Sequence, residues 1–339
     1  MNAEEQLESR LRAVAAAAGR DPRALFLRLR PAGAGWVVQA SDAELLPRLL
    51  AALHADAPAC ELQAQALPAG TLRDRVAWVA ASVADVRRLP RHDSEQVTQA
   101  LQGELLTPLL HEEGWLLSRL PDGYIGWIRD WHVRLVEPAQ PRQFLSRADA
   151  RIASPLVRLR EAPAPEATPL AESPLGTLVA RHAQSRDWAE VELPARGRGW
   201  VREDELRPGT GPWPATASAL LATLRAFLGV PYVWGGKSPK GFDCSGLVQF
   251  VFGLHGVVLA RDSDQQFDCG EPVEAQAPGD LLFFGRERIT HVGVAVDSNE
   301  FLHARGEVRR NALDPDSPIH DAELAALLRG RRRLLPQPD

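Results

Sequence analysis

Cys244 has the surroundings that a catalytic thiol requires. It lies in Gly-Phe-Asp-Cys-Ser-Gly-Leu-Val (241–248), after which apolar residues recur at helical spacing, so the sulfur is predicted at or near a helix N-terminus. The positive end of a helix, together with a nearby imidazolium, can lower the pKa of a thiol from about 8.5 by roughly one to five units. The resulting thiolate is the species that attacks a carbonyl carbon.

Two histidines further along the chain are candidates for the proton acceptor. His291 begins an apolar run typical of a strand, and His303 lies in the next strand, after a turn at 297–300. Because the two are twelve residues apart on one predicted hairpin, we expect their side chains to lie close together. His291 would take the thiol proton, and His303 would hold the His291 ring in the reactive tautomer. Cys60 and Cys269 are interpreted as ordinary packing residues.

Composition limits the possible function classes. A chain of 339 residues is too long for one compact core, so roughly two to four domains are predicted. A net charge of -5, without a Lys/Arg-rich run, argues against a nucleic-acid partner. Three cysteines are too few for a disulfide framework and suit a reducing compartment. No stretch approaches the roughly 18 apolar residues of a membrane span, and no secretory signal is seen, so we expect a cytoplasmic protein without a membrane partner.

Residues 1–70 are predicted to form a small α/β unit of unknown role. A helix is expected over about 3–18, and strands over 24–30 and 35–40 with turn glycines between them. Ser41 starts Ser-Asp-Ala-Glu, a capping box that predicts a second helix over 45–53.

Residues 71–210 contain an internal repeat. Four anchor residues recur 73 positions later, Gly103, Trp115, Gly126 and Trp127 as Gly176, Trp188, Gly199 and Trp200. Short apolar strands with turn signals surround these anchors, which predicts two small β-barrels over 71–138 and 139–210 with the tryptophans in their cores. Tyr124, beside a turn glycine, occurs in the first copy only and is therefore a candidate for contacting a ligand. A breaker-rich linker at 208–214 precedes the final domain, residues 215–336.

Motifs in both regions resemble known families. The repeat resembles the bacterial SH3 domain through Gly-Glu-Leu-Leu (103–106) and Asp-Gly-Tyr-Ile-Gly-Trp-Ile (122–128). The final domain resembles the NlpC/P60 family through Pro-Tyr-Val-Trp-Gly-Gly (231–236), Phe-Asp-Cys-Ser-Gly-Leu-Val (242–248), Pro-Gly-Asp-Leu (278–281), His-Val-Gly (291–293) and Phe-Leu-His-Ala (301–304). The resemblance implies an α+β protein, with a papain-like catalytic domain preceded by two SH3-like barrels and the N-terminal unit.

The NlpC/P60 resemblance also implies roles for individual residues. Cys244 would be the nucleophile, His291 the base and His303 the polar residue that orients the base. The Tyr232 hydroxyl would lie near the oxyanion hole, together with the backbone N–H of Cys244. Such donors stabilise the negative charge that develops on oxygen during acyl transfer.

Two barrels before an NlpC/P60 domain are further similar to the γ-D-glutamyl-L-diamino acid endopeptidases of cell-wall recycling. This resemblance implies a murein peptide, L-Ala-γ-D-Glu-diamino acid, as the partner and cleavage after γ-D-Glu. It also implies a free L-Ala amine, held by Tyr124, Asp243 and an acidic residue of the first barrel. Glu95 is the candidate for that acidic residue, with Glu104 as the alternative. No metal and no cofactor are implied.

Ser245 and Ser263 would bind the α-carboxylate of D-Glu by the same resemblance, although Ser245 also fits a helix-start role. Two other function classes stay open at this point. One is an exported wall hydrolase or toxin that uses the barrels for targeting. The other is a non-enzymatic wall-binding protein built on a peptidase fold, which an intact Cys/His/His set argues against.

Overall fold

The computed structural model describes residues 3–335, which form two compact units. The first unit comprises residues up to 79, 87–95 and 104–142, and the second comprises residues 80–86, 96–103 and 143 onwards. Helices and mostly antiparallel sheets are segregated along the chain, so the protein has the predicted α+β class. Among the residues described, no helix is long and apolar enough to cross a membrane.

A three-stranded sheet with two helices packed against it begins the first unit. The bounds are α1 Ala3–Ala17, β1 Leu27–Ala32, β2 Gly35–Ala40, α2 Leu46–Asp56 and β3 Leu62–Ala66. The sheet order is β1-β2-β3, with the first pair antiparallel and the second parallel. Leu7 and Leu11 of α1 and Leu49 and Leu53 of α2 lie at helical spacing and pack on Val38, which explains why this short segment has a core of its own.

The predicted capping box at Ser41 is wrong. Helix α2 begins at Leu46, its N-cap Leu45 makes no side-chain bond to the helix, and a proline lies in its first turn. The Ser41 hydroxyl instead accepts the backbone N–H of Phe26 at 2.9 Å, so it satisfies the strand at the sheet edge. A proline at the start of a helix supplies a preset φ and needs no N–H partner, which is why the helix can start later than the box predicts.

The two sequence repeats fold into two seven-stranded sheets of the same topology. The strands of the first repeat are β4 Val76–Val79, β5 Val83–Arg87, β6 Gln96–Leu101, β7 Leu105–Glu112, β8 Trp115–Arg119, β9 Ile125–Arg129 and β10 Val133–Val136. Those of the second are β11 Ala150–Ile152, β12 Leu156–Arg160, β13 Pro169–Pro174, β14 Leu178–Ser185, β15 Trp188–Leu193, β16 Gly197–Arg202 and β17 Leu206–Pro208. The orders, β10-β4-β7-β8-β9-β5-β6 and β13-β12-β16-β15-β14-β11-β17, match strand for strand when the second is reversed. Strand β6 and most of β5 belong to the second compact unit.

Short helical segments repeat with the sheets. The 3-10 turn Asp130–His132 of the first repeat has its counterpart in Glu203–Glu205 of the second, while Gly70–Asp74 precedes the first sheet and helix α3, Ala139–Leu145, lies between the two. Gly103 and Gly176 both have positive φ, +89° and +87°, as expected for equivalent turn positions. Of the four anchor tryptophans, Trp115, Trp127 and Trp188 are buried as predicted, whereas Trp200 is only partly buried.

The remaining elements of the second unit form a six-stranded sheet with a layer of helices on one face and a short C-terminal helix on the other. The helices are α4 Ala217–Arg225, α5 Cys244–Leu254, α6 Ser263–Phe267 and α7 Ala322–Leu327. A two-stranded ribbon, β18 Lys237–Ser238 and β19 Gly241–Phe242, precedes α5. The large sheet has the order β20-β25-β21-β22-β23-β24, made of β20 Glu271–Pro272, β21 Leu281–Phe284, β22 His291–Ala295, β23 Glu300–Arg305, β24 Glu307–Ala312 and β25 Leu328–Arg333.

Helix α5 is the central element of this layer. All nine residues from Cys244 to Phe252 are buried, and Leu247 and Val251 share one core with Phe283 of β21 and Val292 of β22. Fully burying an aliphatic or aromatic side chain contributes roughly 1.5–3 kcal/mol, so this packing fixes the helix firmly against the sheet. At its N-terminus the helix approaches the ribbon closely, since the Asp243 N–H donates to the Gly236 carbonyl at 3.0 Å.

Gly246→Ala is expected to destabilise the protein while Gly253→Ala does not. A Cβ on Gly246 would lie 2.1 Å from the Gly236 carbonyl oxygen, whereas Gly253, on the same helix, has nothing within 4 Å. We expect the first variant to lower the free energy of unfolding by about 1–3 kcal/mol or more through overpacking. The second should raise it by roughly 0.5–1 kcal/mol, because alanine loses less backbone entropy than glycine. Denaturant unfolding followed by tryptophan fluorescence measures both, and equal effects would contradict the close approach.

Candidate active site

Cys244 is the first residue of α5, so the predicted helix-start position of the thiol is confirmed. Asp243 is the N-cap, and its Oδ1 accepts the backbone N–H of Gly246 at 2.6 Å. The Cys244 side chain is buried, and its sulfur accepts backbone N–H groups from Ser245 and from Val292. The start of β22, which carries His291, therefore lies against the thiol.

The electrostatics of the thiol differ from the prediction. Burial, and after it the Asp243 carboxylate, raise the pKa of Cys244 to about 12, although the two backbone N–H groups and Arg261 act in the opposite direction. The predicted lowering by the helix terminus and an imidazolium is therefore wrong for this structure. Desolvation outweighs the donors at the helix end, and the nearby histidine is neutral rather than cationic.

His291 and His303 are directly hydrogen-bonded, as the hairpin spacing predicted. They lie on the adjacent antiparallel strands β22 and β23, with Nε2 of His291 2.8 Å from Nδ1 of His303. Burial lowers the pKa of His291 to about 3, and burial also lowers the pKa of His303 to about 4. Both imidazoles are therefore neutral near pH 7.

The hydrogen-bond chain behind the histidines determines which nitrogen of His291 is basic. Asn311 donates its Nδ2 to the Ile319 carbonyl at 3.0 Å, so its Oδ1, 2.9 Å from Nε2 of His303, is the acceptor in that contact. Neutral His303 then carries its proton on Nε2 and accepts at Nδ1. His291 must donate from Nε2, which leaves the Nδ1 lone pair as the only one available to take a proton from a thiol.

Tyr232 precedes the ribbon and is held by a backbone bond from its N–H to the Gly306 carbonyl at 2.8 Å. Burial raises the pKa of the phenol above its ordinary value, and the negative charges of Cys244 and Asp243 raise it further. The hydroxyl is therefore protonated at neutral pH and able to donate to an oxyanion. Its assignment to the oxyanion hole stays a prediction.

Asp243 and Ser245 form a buried polar cluster with Arg261. The Arg261 guanidinium binds both carboxylate oxygens of Asp243, at 2.5 and 3.0 Å, and the Ser245 hydroxyl at 3.0 Å. The carboxylate predicted to hold an ammonium thus already has a cationic partner. The Ser245 hydroxyl, predicted to bind a carboxylate, also lies 3.4 Å from Oδ1 of Asp243, and its assignment stays a prediction.

Ser263 is the first residue of the short helix α6 and is buried. The preceding Asp262 is the N-cap, with a capping box in which its N–H donates to the Gln265 side chain at 3.2 Å. Gln266 of the same helix donates to the Ser245 carbonyl at 3.1 Å, which connects α6 to the start of α5. Ser245 and Ser263 therefore lie on two connected helix starts.

Strand β6 supplies three polar side chains to the second unit, and none was predicted. Gln96 donates to the Trp234 carbonyl at 2.9 Å, and the Gln99 side chain accepts the Lys237 N–H at 2.9 Å. Thr98 accepts from Nε of Arg261 at 2.8 Å. The strand thereby fixes the loop that leads from Tyr232 into the ribbon.

Tyr124 and Glu95 belong to the first unit. Tyr124 is buried, and its backbone N–H donates to the Asp122 carboxylate at 3.0 Å in a tight turn. Glu95 forms an ion pair with Arg88 at 2.7 Å in which both side chains are substantially exposed. Their assignment to an ammonium ligand set stays a prediction.

Comparison with known proteins identifies the catalytic domain. The NlpC/P60 family model matches residues 229–325, which contain Cys244, His291 and His303. The chain carries an NlpC/P60 domain. A second model, the bacterial dipeptidyl-peptidase SH3 domain, matches residues 86–132 in the first repeat. Both predicted resemblances are thus confirmed, and the chain carries a domain of the NlpC/P60 family of cysteine peptidases, which are hydrolases.

Relatives of the NlpC/P60 protein match over most of its length. It is 27% identical over 289 residues to the gamma-D-glutamyl-L-lysine dipeptidyl-peptidase of Bacillus subtilis (strain 168), covering 81% of this chain and 93% of that protein. Dipeptidyl-peptidase 6 of Lysinibacillus sphaericus is 27% identical over 269 residues, 74% of this chain and 97% of that protein. The solved structure of a NlpC/P60 family protein from Bacillus cereus ATCC 10987 has a TM-score of 0.65 at 23% identity, covering 77% of this chain and 100% of that one, which supports the shared fold.

The stability of the NlpC/P60 protein should fall as pH falls from 7.5 to 5, partly because of His303. An unfolded histidine titrates near pH 6.5, but burial holds the folded pKa at about 4, so the unfolded state binds more protons between these values. We expect this one residue to account for about 2 kcal/mol of lost stability by pH 5. Denaturant unfolding at both pH values should show a smaller loss for His303→Asn than for the wild type. An equal loss in the two proteins would contradict the buried neutral imidazole.

Proposed function

We propose that the protein is an endopeptidase that cleaves the bond between γ-D-Glu and the diamino acid in peptidoglycan stem peptides with a free N-terminal L-Ala. The supporting observation is a thiol at a helix start beside a directional chain from His291 through His303 to Asn311. The similarity, over 81% of the chain, to a protein named gamma-D-glutamyl-L-lysine dipeptidyl-peptidase supports the choice of bond.

Acylation in this proposal begins from neutral partners. As the Cys244 sulfur attacks the γ-carbonyl carbon of D-Glu, its proton passes to Nδ1 of His291. The imidazolium that forms donates its Nε2 proton toward His303, which accepts at Nδ1. Negative charge on the carbonyl oxygen is stabilised by the Tyr232 hydroxyl and the Cys244 backbone N–H.

Collapse of this intermediate breaks the C–N bond. His291 returns the proton to the departing amine of the diamino acid, and the acyl group stays on sulfur as a thioester. A water molecule then attacks the thioester while His291 takes its proton, and the proton returns to sulfur as the C–S bond breaks. The products are L-Ala-D-Glu with a free γ-carboxylate and a peptide or amino acid with a free amine.

Recognition of the substrate termini follows the sequence-based assignments. Ser245 and Ser263 would bind the D-Glu α-carboxylate. Tyr124 and Glu95 of the first unit and Asp243 of the second stay separate candidates, by the resemblance, for contacting the L-Ala ammonium. Asp243 is already bound by a buried guanidinium, whereas the exposed pair of Glu95 with Arg88 is of the kind that contributes little. Glu95 is therefore the better carboxylate to exchange its partner for an ammonium.

A free L-Ala amine exists only on stem peptides already released from the glycan, and such peptides are the substrates of recycling. We therefore also propose that the protein acts in the cytoplasm. Recovery of the chain from an extracellular or periplasmic fraction would contradict this.

Hydrolysis of L-Ala-γ-D-Glu-meso-diaminopimelate and of its L-lysine counterpart tests the proposal. We expect the free peptides to be cleaved after D-Glu, and the N-acetylated forms to be cleaved at least about a hundredfold more slowly, since a site built to bind an ammonium rejects its neutral analogue. Cys244→Ala should abolish cleavage, whereas Cys269→Ala, the matched control in the same domain, should retain it. Equal cleavage of free and acetylated peptides would remove the amine requirement and leave the peptidase. Cleavage that survives Cys244→Ala would contradict the mechanism.

The acidic amine ligand is tested separately by comparing Glu95→Gln with Glu104→Gln. Loss of a charge-assisted bond to an ammonium is expected to raise KM for the free peptide by roughly tenfold or more. We expect this for Glu95→Gln and not for Glu104→Gln, and a smaller increase for Tyr124→Phe. Steady-state kinetics on the free peptide measure all three, and the reverse order for the two glutamates would reassign the ligand to Glu104.

A further inference from the structure

Arg261 is the largest fully buried side chain in the described part of the chain, and its guanidinium is enclosed by polar partners. Its Nε donates to the Thr98 hydroxyl at 2.8 Å, while its two terminal nitrogens donate to Asp243 and Ser245. Burying a cation without a partner costs several kcal/mol, so an arginine is retained in such a position only with a matched anion. Here that anion is the residue immediately before Cys244.

The partners of Arg261 are also the groups that define the start of α5. Asp243 is the N-cap, and Ser245 follows the nucleophile. A bidentate guanidinium allows a carboxylate a single orientation, because its N–H groups form a planar fork. Thr98, which is itself fully buried, fixes the third side of that fork. The Arg261 side chain thereby keeps Asp243 in the orientation that caps α5.

Arg261 also balances a charge that opposes catalysis. The Asp243 carboxylate disfavours a thiolate on Cys244, and Arg261 favours it. The charged groups that act on the thiol are Asp243 and Arg261, Asp262 acts on Arg261, and the neighbouring titratable groups are Tyr232 and His291. The last two are neutral near pH 7, so among the residues that the structure describes Arg261 is the cation that acts on the sulfur. Without it, developing negative charge on sulfur would face an unbalanced carboxylate.

We propose that Arg261 is a positioning residue for the NlpC/P60 reaction: it holds Asp243 as the N-cap of α5 and neutralises that carboxylate so that negative charge can form on Cys244. The inference rests on the proposed role of Cys244 as the nucleophile. It does not depend on which peptide bond is cleaved. In this proposal Asp243 caps α5 and pairs with Arg261 whether or not it also contacts the substrate amine.

The neutralising role of Arg261 can be tested without any substrate. Cys244 is alkylated by iodoacetamide at a fixed pH between 8 and 9, and the Cys244 peptide is followed by mass spectrometry. Below the pKa of a thiol the alkylation rate follows the thiolate fraction, partly offset by the higher nucleophilicity of a more basic thiolate. We expect Arg261→Met to react roughly three- to tenfold more slowly than the wild type. Arg261→Lys, which keeps the charge but not the fork, should react within about threefold of the wild type.

The double variant Asp243→Asn/Arg261→Met removes both charges and keeps an oxygen acceptor for the Gly246 N–H. We expect it to recover an alkylation rate close to that of the wild type. It also keeps the test valid if Arg261→Met alone, with its unpaired buried carboxylate, fails to fold. A folded double variant that reacts more than about threefold more slowly than the wild type would overturn the neutralising role.

Arg333→Met is the matched control. Arg333 binds both oxygens of the buried Asp280 at 2.7 and 2.9 Å in the same domain, but it is not among the charges that act on Cys244. It should lower the melting temperature and leave the alkylation rate unchanged. If Arg261→Met and Arg333→Met both leave the alkylation rate unchanged, Arg261 has only a structural role. Since no substrate is used, these outcomes are distinct from a failure to cleave the stem peptide.

Discussion

The buried charge pair beneath the start of α5 is the constraint on which the catalytic domain depends. A guanidinium or carboxylate moved from water into a protein interior costs several kcal/mol, so Arg261 and Asp243 are stable there only together and with their remaining hydrogen bonds satisfied. Satisfying them fixes three segments that are distant in sequence, namely the first turn of α5, the residues before α6 and strand β6. Cys244, the proposed nucleophile, follows Asp243 directly, so the contacts that satisfy the pair also set the position of the sulfur.

The hydrogen bonds of the histidine chain have one direction because Asn311, at its end, can be oriented in only one way. The Ile319 carbonyl can only accept, so Asn311 must donate to it and must present its oxygen to His303. Each tautomer further along the chain follows from this, and the lone pair on Nδ1 of His291 results without any charged residue in the chain. Neutral, buried imidazoles are suited to this task, since neither ring has to lose a proton before it can accept one.

The sequence predicted those parts of the fold and site that depend on neighbouring residues. Periodicity after Cys244 predicted a helix, and the spacing of His291 and His303 predicted a hairpin contact. The 73-residue repeat predicted two small β-barrels, and the two repeats fold into seven-stranded sheets of one topology. These features are set by local pattern or by comparison of the chain with itself. Ser41 shows where local pattern fails. Its hydroxyl accepts the backbone N–H of Phe26, next to strand β1, instead of capping helix α2.

Arg261, Thr98 and Asn311 could not be predicted, because their partners are set by tertiary structure. Thr98 and Arg261 are 163 residues apart, and no periodicity connects a threonine of an SH3-like strand to an arginine of a peptidase domain. Asn311 lies one strand beyond His303, in a segment without any motif. An arginine next to Asp-Ser at 262–263 was the one visible signal, and its burial was not evident from composition.

The thiol pKa illustrates the same limit in energetic terms. A helix start lowers the pKa of a thiol and burial raises it, and the two effects have similar magnitudes, so the sign depends on how deeply the sulfur is buried. Burial is the larger effect at Cys244. The same low-dielectric surroundings also strengthen the electrostatic interaction of the sulfur with every nearby charge, including the Arg261 guanidinium that binds Asp243. A thiol that is protonated at rest can therefore be activated as the reaction proceeds, since fixed donors that hardly stabilise charge in water stabilise it strongly in a dry site.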